Sequence, residues 1–408
     1  MVDTTERFFA GQTAHGHAAP GDKHASGPIS FSVEPVSSST IDAYSQLADS
    51  TVAAPPQRAE WLAAWAGNVN SDCVFVSALQ GTDPLFAMPL EVVREGLCRT
   101  ARIPGGSHAN GSFFPTMQAF QSRPDTGLQL TAAFRALAAA RPDIDMIALE
   151  RLSPCLDGLD NPLRALPHSD SPNLALAADL TGGFEPLVDR MSGKRKRKKM
   201  RAQLRKFEAA GGYRLIRAET PEEAGRLLSA LFAMKHERFR KMGVADVFAP
   251  PQITAFFQDL FTVAAKDGTR RFFLSGLEVG GKLRAVSACS RTRGRIICDF
   301  AAFAEDELYA ASPGEFLFFH DIEVASSEDI SLFDFSVGDE PYKRAWCEVE
   351  TRQFDVFFPL TAKGHAATAM RRAKARAKGM IKNNPLAWRL VRMARAGSAT
   401  KSAPAEND

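Results

Sequence analysis

The residues best suited to chemistry lie in one short loop in the later part of the sequence. Asp339, Glu340, Tyr342 and Lys343 follow a strand-like run that ends at Phe335, and functional residues tend to collect in such loops. The Tyr342 hydroxyl could donate a proton, and the Lys343 ammonium could bind a phosphate or a carboxylate. We therefore expect a site for proton transfer and anion binding here. A solvated turn in which Tyr342 caps the core is the alternative.

Two residues outside this loop could also take part in proton transfer. His236 lies in a helix-like segment and can titrate near neutral pH, although a histidine on a helix face is more often structural than catalytic. Asp334 stands between Phe333 and Phe335, and side chains alternate between the two faces of a strand. Asp334 is therefore expected to face away from two apolar side chains and to line a cleft.

The elements that must hold these residues are a mixture of helices and strands. Thr220, Pro221 and Glu223 match a capping box with Pro at the first helical position, which predicts a helix that runs to Met242. The other elements predicted in this half are a strand at Tyr213–Arg217, a helix at Pro251–Ala265, an antiparallel meander at Arg271–Leu277, Leu283–Thr292 and Gly294–Phe303, a helix at Ala311–Ala325, and strands at Ile330–Phe335 and Arg352–Pro359. This order predicts an α+β fold with a mixed sheet.

The earlier half of the sequence contains elements of the same kinds. Trp61 and Trp65 are spaced i,i+4 and predict the core-facing side of a helix. A hairpin predicted at 73–94 recurs later in the chain, where Phe273–Glu278 aligns with Phe75–Gln80 at a shift of 198 residues without a gap. Chance similarity between two hairpins is the alternative, but the recurrence favours two related modules in tandem.

These modules set the predicted domain boundaries. We expect a disordered leader at 1–28, a first domain at 29–180, a second domain at 184–362 and a basic amphipathic tail at 363–408. Apolar side chains accompany the arginines of the tail, which predicts either an interfacial helix or a solvated or partner-bound segment.

Basic residues are concentrated in two segments of this 408-residue chain, although its formal net charge is only +3. Residues 190–206 carry ten basic side chains and no acid, and residues 363–401 carry eleven and no acid. Such segments bind anionic partners or pack over acidic surface. An anionic membrane surface or RNA is the expected partner, and the absence of aromatic residues in 194–206 disfavours base stacking.

Composition excludes several classes of protein. Hydrophobic residues at 45% and charged residues at 24% are ordinary globular values and exclude a wholly disordered or collagen-like chain. The six cysteines form neither a Cys-x-x-Cys pair nor a cluster with zinc-ligand spacing, so we expect reduced thiols and no metal. The sequence shows no signal peptide and no membrane-spanning run. It therefore predicts a cytoplasmic protein, with a peripheral position at the inner membrane face as an extension of that prediction.

A family resemblance is carried by several segments, which are densest after residue 192. They are Ser312-Pro313-Gly314, the string Phe-Asp-Phe-Ser-Val-Gly-Asp-Glu-Pro-Tyr-Lys at 333–343, Trp346, the helix segment 235–243, the basic run 192–199 and the Trp61–Trp65 pair. Together they resemble the GNAT-superfamily acetyltransferases of the CelD/BcsL type, a family associated with cellulose biosynthesis. The resemblance covers roughly residues 30–362.

The resemblance implies two tandem GNAT-like acyltransferase domains, each a mixed, largely antiparallel sheet flanked by helices, of which the first is degenerate. The implied activity is acyl-CoA-dependent N- or O-acyl transfer, with acetyl-CoA or a longer acyl-CoA as co-substrate and no permanently bound cofactor. The acceptor would be an amine or hydroxyl on a small molecule, a saccharide or a lipid-linked molecule. Exopolysaccharide or cell-envelope synthesis would be the setting.

The resemblance also assigns roles to residues. In GNAT enzymes, backbone N–H groups at the point where two central strands separate bind the thioester carbonyl, which here falls near 295–302 and 330–335. Ser312 and Gly314 are assigned to the diphosphate of CoA, because a helix N-terminus offers free N–H groups, although a Ser312–Glu315 capping box would compete for them. The remaining assignments are His236, Asp334 and Tyr342 as catalytic residues, and Arg238, Asp339, Glu340 and Lys343 as substrate-binding residues.

The superfamily's usual Gln/Arg-x-x-Gly-x-Gly/Ala loop is not evident, since residues 291–296 begin like it but fall in a hairpin turn. Two other functions therefore stay open. Tandem GNAT-like domains also occur in the peptidoglycan-building aminoacyl transferases that take their donor from charged tRNA, in which case the basic helix would contact tRNA phosphates. The third hypothesis is that the protein is a non-catalytic binding module of an envelope complex.

Overall fold

The computed structural model describes residues 27–383, which include every candidate site residue. Apart from residues 27 and 28, the predicted leader lies outside the described residues, as does the tail beyond residue 383. No helix within 27–383 is both long and apolar enough to cross a membrane.

The described chain alternates between strands and helices, and the prediction of an α+β fold is confirmed. The strands are β1 (Ile29–Pro35), β2 (Cys73–Gln80), β3 (Asp83–Glu95), β4 (Cys98–Arg102), β5 (Met146–Leu152), β6 (Cys155–Leu156), β7 (Leu159–Asp160), β8 (Ser169–Asp179), β9 (Tyr213–Arg217), β10 (Phe272–Val279), β11 (Lys282–Arg291), β12 (Arg295–Phe303), β13 (Leu332–Val337) and β14 (Val349–Pro359). The helices are α1 (Ser38–Ser50), α2 (Ala59–Asn68), α3 (Gln118–Gln121), α4 (Thr126–Ala140), α5 (Phe184–Arg190), α6 (Gly193–Ala209), α7 (Pro221–Met242), α8 (Pro251–Asp267), α9 (Pro313–Ser327), α10 (Pro341–Arg344) and α11 (Ala362–Asn383).

Twelve of these strands form one sheet whose two halves repeat the same pattern. The strand order is β1-β2-β3-β4-β5-β14-β8-β13-β12-β11-β10-β9. In the first half β1 to β4 are antiparallel and β4 then pairs with β5 in parallel. In the second half β9 to β12 are antiparallel and β12 then pairs with β13 in parallel. The predicted tandem of mixed, largely antiparallel sheets is thus confirmed.

The two halves exchange strands at the centre of the sheet. The strand β14, which is the last strand in the described chain, pairs with β5 of the first half and also with β8. The strand β8, which precedes the second half in sequence, pairs with β13. The sheet therefore runs across the predicted domain boundary at 180–184, and this boundary stays a prediction.

Aromatic side chains join the halves on one face of the sheet. Trp61 and Trp65 are each 3% exposed, which confirms that the pair faces the core. Both indole rings lie edge-on to Phe256 of α8, with ring centroids 4.9 and 5.0 Å away. Each indole N–H also has a buried acceptor, because Trp61 Nε1 donates to the Pro104 carbonyl and Trp65 Nε1 to Glu91 Oε2.

The long helix α7, which carries His236 and Arg238, begins and ends as the sequence predicts. The Glu223 backbone N–H donates to Thr220 Oγ1 (3.2 Å) at the N-cap, and Gly243 closes the helix with φ of 64°. The second bond of the predicted capping box is displaced by one residue, since Glu223 Oε2 accepts from the backbone N–H of Glu219.

The strand exchange predicts that the second half will not fold alone. A fragment of residues 184–362 lacks β8, so β13 loses one of its two neighbours, and β14 loses both β5 and β8. We expect this fragment to be aggregated or to lack cooperative unfolding, because exposed strand edges and buried faces without a partner are unstable. Circular dichroism during thermal unfolding would measure this.

The matched control is the full chain cut only at residues 181–183, with both pieces expressed together. These pieces retain every strand, and we expect them to copurify as a folded complex. A monomeric 184–362 fragment with a cooperative transition like that of the full chain would contradict the prediction.

Candidate active site

The site is built where the parallel strands β12 and β13 separate. The two strands pair only from Arg295 opposite Leu332 to Ile297 opposite Asp334. Beyond this point β12 continues beside β11 as far as Phe303 opposite Ala285. The strand β13 continues beside β8 instead. A gap between two central strands therefore opens at Ile297 and Asp334.

Both strands are also deformed at this level. Cys298 pairs with Cys289, whereas Phe300 pairs with Ala288, so Asp299 is an extra residue in β12. Such a bulge leaves the extra residue outside the regular hydrogen-bond ladder. In β13, Ser336 has a positive φ of 58°. At the bulge and the bend, backbone N–H and C=O groups lie beside the gap. These groups are outside the regular hydrogen-bond ladder of the adjoining strands.

Asp334 stabilises the bend in β13 and lies on the side opposite its aromatic neighbours, as predicted. Its Oδ1 accepts from the Ser336 backbone N–H (2.7 Å), and its Oδ2 accepts from Arg295 Nη1 (2.9 Å). The whole residue is only 7% exposed, so the carboxylate is paired in a buried environment. Phe333 and Phe335 lie in the apolar cluster on the other side.

A small cavity of about 20 Å³ adjoins this ion pair. Arg295 Nε and Gln353 Oε1 are buried and have no hydrogen-bond partner in the described part of the chain, and both residues line the cavity. A cavity of this size has room for about one water molecule. One ordered water there could satisfy both atoms.

Asp299 is the titratable group at the bulge. The pKa of Asp299 is raised to about 7, chiefly by desolvation and also by the nearby Asp334 carboxylate. A carboxyl group with a pKa near the working pH can both accept and release a proton. The sequence analysis missed this residue, because a bulge depends on the register between strands and has no local sequence signal.

Tyr342 lies on the other side of the site, over an aromatic cluster. Its ring stacks on Phe318 of α9 with centroids 5.6 Å apart and an interplanar angle of 7°, and it meets Phe335 edge-on. The residue keeps 42% of its surface exposed. Desolvation of the hydroxyl raises its pKa above the ordinary value, with a contribution from Cys298. Tyr342 is therefore a protonated donor near the strand gap.

Lys343 is less accessible than the sequence analysis assumed. It is 4% exposed, and its Nζ contacts the Val337 carbonyl (2.7 Å) and Glu340 Oε2 (3.0 Å). These two contacts fix the loop after β13. Asp339 pairs with Arg344 instead. The structure thus places Lys343, Asp339 and Glu340 within an ion-pair network of the loop.

The two other predicted residues on α7 point in different directions. The Arg238 guanidinium lies 5.2 Å from the centroid of the Phe303 ring, and its charge acts on Tyr342. His236 is on another side of the helix, with a side chain that is 67% exposed, and its Nδ1 lies 3.4 Å from Asp246 Oδ2. Arg238 therefore lies close to Tyr342, whereas His236 faces the surface.

Lys235, which the sequence analysis quoted only as part of the family pattern, lies on the same side as Arg238. Burial lowers the pKa of its amine, and the Arg238 guanidinium acts in the same direction. Its Nζ lies 5.4 Å from the centroid of Phe248. The site is thus flanked by two cations from α7.

The start of α9 differs from the prediction in one respect. Ser312 has φ of 54° and makes no side-chain cap, so the predicted Ser312–Glu315 capping box is wrong. Glu315 instead pairs with Lys199 of α6. Gln203 of α6 donates to the carbonyls of Ala311 (2.8 Å) and Ser312 (3.1 Å). The α6 helix therefore holds the turn that precedes α9.

Gly314 lies against the ring that Arg238 covers. A Cβ atom at this position would lie 3.0 Å from Phe303 Cδ1, which is a tight contact. Gly314, Phe303 and Arg238 therefore form one continuous surface between the start of α9 and α7. Ser312 and Gly314 are brought to the same end of the site as Arg238 and Tyr342.

A larger cavity that the sequence analysis missed lies in the first half. It has a volume of about 680 Å³ and is lined by residues of β4, β5, β14 and α11, including Arg102, Glu150, Arg151, Phe357 and Lys374. Its position is equivalent to the strand gap described above, since β4 and β5 stop pairing at Arg102 and Ala148. No group of three or more His, Cys, Asp or Glu side chains within 27–383 is arranged to hold a metal ion.

Comparison with known proteins places the strand gap in a known type of domain. Residues 194–344 match the family model of the acetyltransferase (GNAT) domain. This GNAT segment runs from α6 to α10 and contains the bulge, the bend and the start of α9. No curated protein matches the sequence.

Solved structures that share the fold include the following two. The crystal structure of FemX has a TM-score of 0.56 and 10% sequence identity, and the match covers 79% of this chain and 96% of that one. A conserved protein of unknown function from Bacteroides thetaiotaomicron VPI-5482 has a TM-score of 0.50 and 11% identity, and the match covers 81% of this chain and 100% of that one. At such identities the similarity establishes the fold alone.

The raised pKa of Asp299 predicts a pH-dependent effect on stability. Its pKa of about 7 is above the value of about 3.9 for an unfolded aspartate, so the folded chain binds this proton more tightly. Its contribution to stability therefore falls as the pH rises from about 4 to about 7. We expect Asp299→Asn to raise the free energy of unfolding more at pH 8 than at pH 5, by about 2 kcal/mol.

Urea denaturation at the two pH values would measure this difference. Asp83→Asn, at an exposed position, is the matched control and should show no such dependence. An equal effect of Asp299→Asn at both pH values would mean that Asp299 ionises normally in the folded chain.

Proposed function

We propose that this protein is an acyl-CoA-dependent N- or O-acyltransferase whose donor binds between β12 and β13. The observation that carries this proposal is the strand gap at Ile297 and Asp334, with an extra residue in β12, inside the segment that matches the GNAT domain. Acetyl-CoA or a longer acyl-CoA is the proposed co-substrate, and an amine or hydroxyl is the proposed acceptor.

The donor is oriented by backbone groups and by the start of α9. Backbone N–H groups of β12 near Asp299 polarise the thioester carbonyl, because fixed donors aimed at a developing negative charge lower the barrier to acyl transfer. The N-terminus of α9, near Ser312 and Gly314, and the nearby Arg238 attract the diphosphate. Pro313 has no N–H, and the N–H groups of Glu315 and Phe316 donate to the Ser312 carbonyl. Because Ser312 makes no side-chain cap, the Gly314 N–H is the group of the first turn proposed for this role.

Protons are moved by groups on the two sides of β12. The acceptor nitrogen or oxygen attacks the thioester carbon, a C–N or C–O bond forms, and the C–S bond breaks. Asp299, with a pKa near 7, takes the proton from the acceptor. Tyr342, whose raised pKa keeps it protonated, gives a proton to the departing thiolate. Asp334 stabilises the bend in β13, because it accepts hydrogen bonds from the Ser336 backbone N–H and from Arg295.

Direct transfer is proposed in preference to a covalent acyl-cysteine intermediate. Burial raises the pKa values of the Cys347 and Cys155 thiols, which disfavours the nucleophilic thiolate. All six cysteines are unpaired, and Cys289 and Cys298 are buried. A ternary complex of donor, acceptor and enzyme fits these environments better.

The CelD/BcsL subtype and a setting in exopolysaccharide or cell-envelope synthesis are proposed on the sequence resemblance alone. The segment that carries it includes Asp334, Tyr342 and Lys343 in one string. The same resemblance supplied His236 as a catalytic residue, and its exposed position beside Asp246 supports a surface role better than proton transfer at the gap.

The proposed function predicts acyl-CoA binding by the full chain. Calorimetric titration with acetyl-CoA and longer acyl-CoAs should give saturable binding, whereas deacylated tRNA should give none. Thiol release in the presence of a panel of amines and hydroxyl acceptors would then measure turnover. Tight, salt-dependent tRNA binding without acyl-CoA binding would favour the aminoacyl-transferase alternative, and binding of neither donor would favour a non-catalytic module.

Tyr342→Phe tests the proposed proton donor. Loss of the hydroxyl should lower kcat by about 100-fold or more, since general acid catalysis contributes about 10²–10⁴-fold. The KM for acyl-CoA should change little, because the ring and its stacking on Phe318 are retained. Tyr309→Phe, at a residue that is 52% exposed, is the matched control. A Tyr342→Phe enzyme with unchanged kcat across the pH range would exclude the assigned role.

A further inference from the structure

The helix α6 presents a row of cations to solvent. Lys194, Lys198, Arg201 and Arg205 are all exposed and are spaced i, i+4, i+7 and i+11, which places them on one face of a helix. We call these four residues the α6 stripe. At about 1.5 Å of rise per residue, the stripe is about 16 Å long.

Three other cations of α6 are used within the protein, whereas the four of the stripe are not; Arg195 and Lys206 are also exposed. Arg197 pairs with Glu185 and Asp189 of α5, Lys199 pairs with Glu315, and the Lys196 ammonium lies 3.5 Å from the centroid of the Trp346 ring. No carboxylate within the described residues 27–383 pairs with a member of the stripe. The helix therefore has an inner set of partnered cations and an outer set without partners.

The stripe is unfavourable for the helix in isolation. Like charges spaced i,i+4, such as Lys194 with Lys198 and Arg201 with Arg205, repel one another. The first turn of α6 has no acidic residue, so its cations also lie at the positive end of the helix dipole. An external anionic surface would offset both effects at once.

The arrangement of the stripe fits a flat anionic surface better than a nucleic acid. At about 100° per residue, the four side chains span only about 60° of the helix circumference, so all four can contact one plane. A helix in a nucleic-acid groove contacts phosphates on both of its sides and reads bases with polar side chains. The polar candidate for such reading, Gln203, is buried and donates to Ala311 and Ser312.

We propose that the α6 stripe docks this protein onto an anionic lipid bilayer. Its exposed face carries charge without large apolar side chains, since Phe207 is buried against Phe316, so attachment is electrostatic and peripheral. Basic residues close to an anionic membrane are each attracted to it. Because the opposite face of α6 holds the turn before α9, docking brings the start of α9 close to the membrane surface.

Cosedimentation of the full chain with vesicles tests this proposal. Vesicles of phosphatidylcholine with phosphatidylglycerol should bind the wild-type protein, in a manner that weakens with salt, and vesicles of phosphatidylcholine alone should not. The variant Lys194→Gln, Lys198→Gln, Arg201→Gln, Arg205→Gln should bind at least about 50-fold more weakly, because each cation near an anionic surface contributes about a five-fold factor. Circular dichroism would verify that the variant is folded.

The matched control neutralises four exposed cations elsewhere, by Arg135→Gln, Arg164→Gln, Lys266→Gln and Lys282→Gln. It should bind like the wild type to within about threefold, since it leaves the stripe unchanged. Equal loss in both variants, or no loss in the stripe variant, would overturn the proposal. So would binding of duplex RNA that depends on the stripe while vesicle binding does not. Acyl-CoA binding measured without vesicles should be the same in all three proteins, which separates this proposal from the proposed function.

Discussion

The early end of pairing between β12 and β13 is the constraint on which the rest of the site depends. Buried backbone N–H and C=O groups must find partners, and two central strands that separate leave such groups without each other. On the β13 side the structure satisfies several of them individually. Ser336 donates to Asp334 Oδ1, Gly338 donates to the Leu174 carbonyl, and Lys343 donates to the Val337 carbonyl. Much of the polar string after Phe333 is therefore engaged in holding β13 away from β12.

The strand exchange fixes the position of β13 beside the gap. Where β13 leaves β12, it pairs with β8, which comes from the segment before the GNAT match. The strand β8 in turn pairs with β14, and β14 pairs with β5 of the first half. The aromatic contact between α2 and α8 joins the same two halves on one face of the sheet. The first half therefore supports the position of β13 even though none of the predicted site residues belongs to it.

Sequence patterns predicted the elements whose stability is local. The hairpins, the meander, the α7 caps and the paired tryptophans follow from periodicity and capping, which short segments contain in full. The strand β4 was missed because its Arg99 and Arg102 are polar in sequence and become favourable only beside Asp72 and Glu91. The strand β8 was missed because Pro172 and several polar residues precede its apolar part, and only the exchange buries it.

The candidate site was predictable to the same extent. Strand alternation was enough to orient Asp334, and loop position was enough to single out Tyr342. Asp299 could not be found, because the bulge that makes it special is a property of two strands in register. The buried position of Lys343 and the absence of a Ser312 cap likewise depend on partners distant in sequence, namely the Val337 carbonyl for Lys343 and α6 for the turn at Ser312.

The partners of the basic side chains also depend on the fold and not on the local sequence. A run of ten basic residues reads as one feature in the sequence, but the structure divides it. Four of them contact the protein, namely Arg190, Lys196, Arg197 and Lys199, whereas the α6 stripe, Arg195 and Lys206 are exposed. Only the outward set is available to a partner. The net charge of a segment therefore overstates the charge that it offers to a surface.

A crystal structure of the full chain with acetyl-CoA, or with an analogue whose thioester is replaced by a stable linkage, tests the central claim most directly. The account predicts the acyl carbonyl within hydrogen-bond distance of a β12 backbone N–H between Cys298 and Phe300, with the diphosphate at the start of α9. A donor bound instead in the cavity of the first half, beside Arg102 and Lys374, would contradict it.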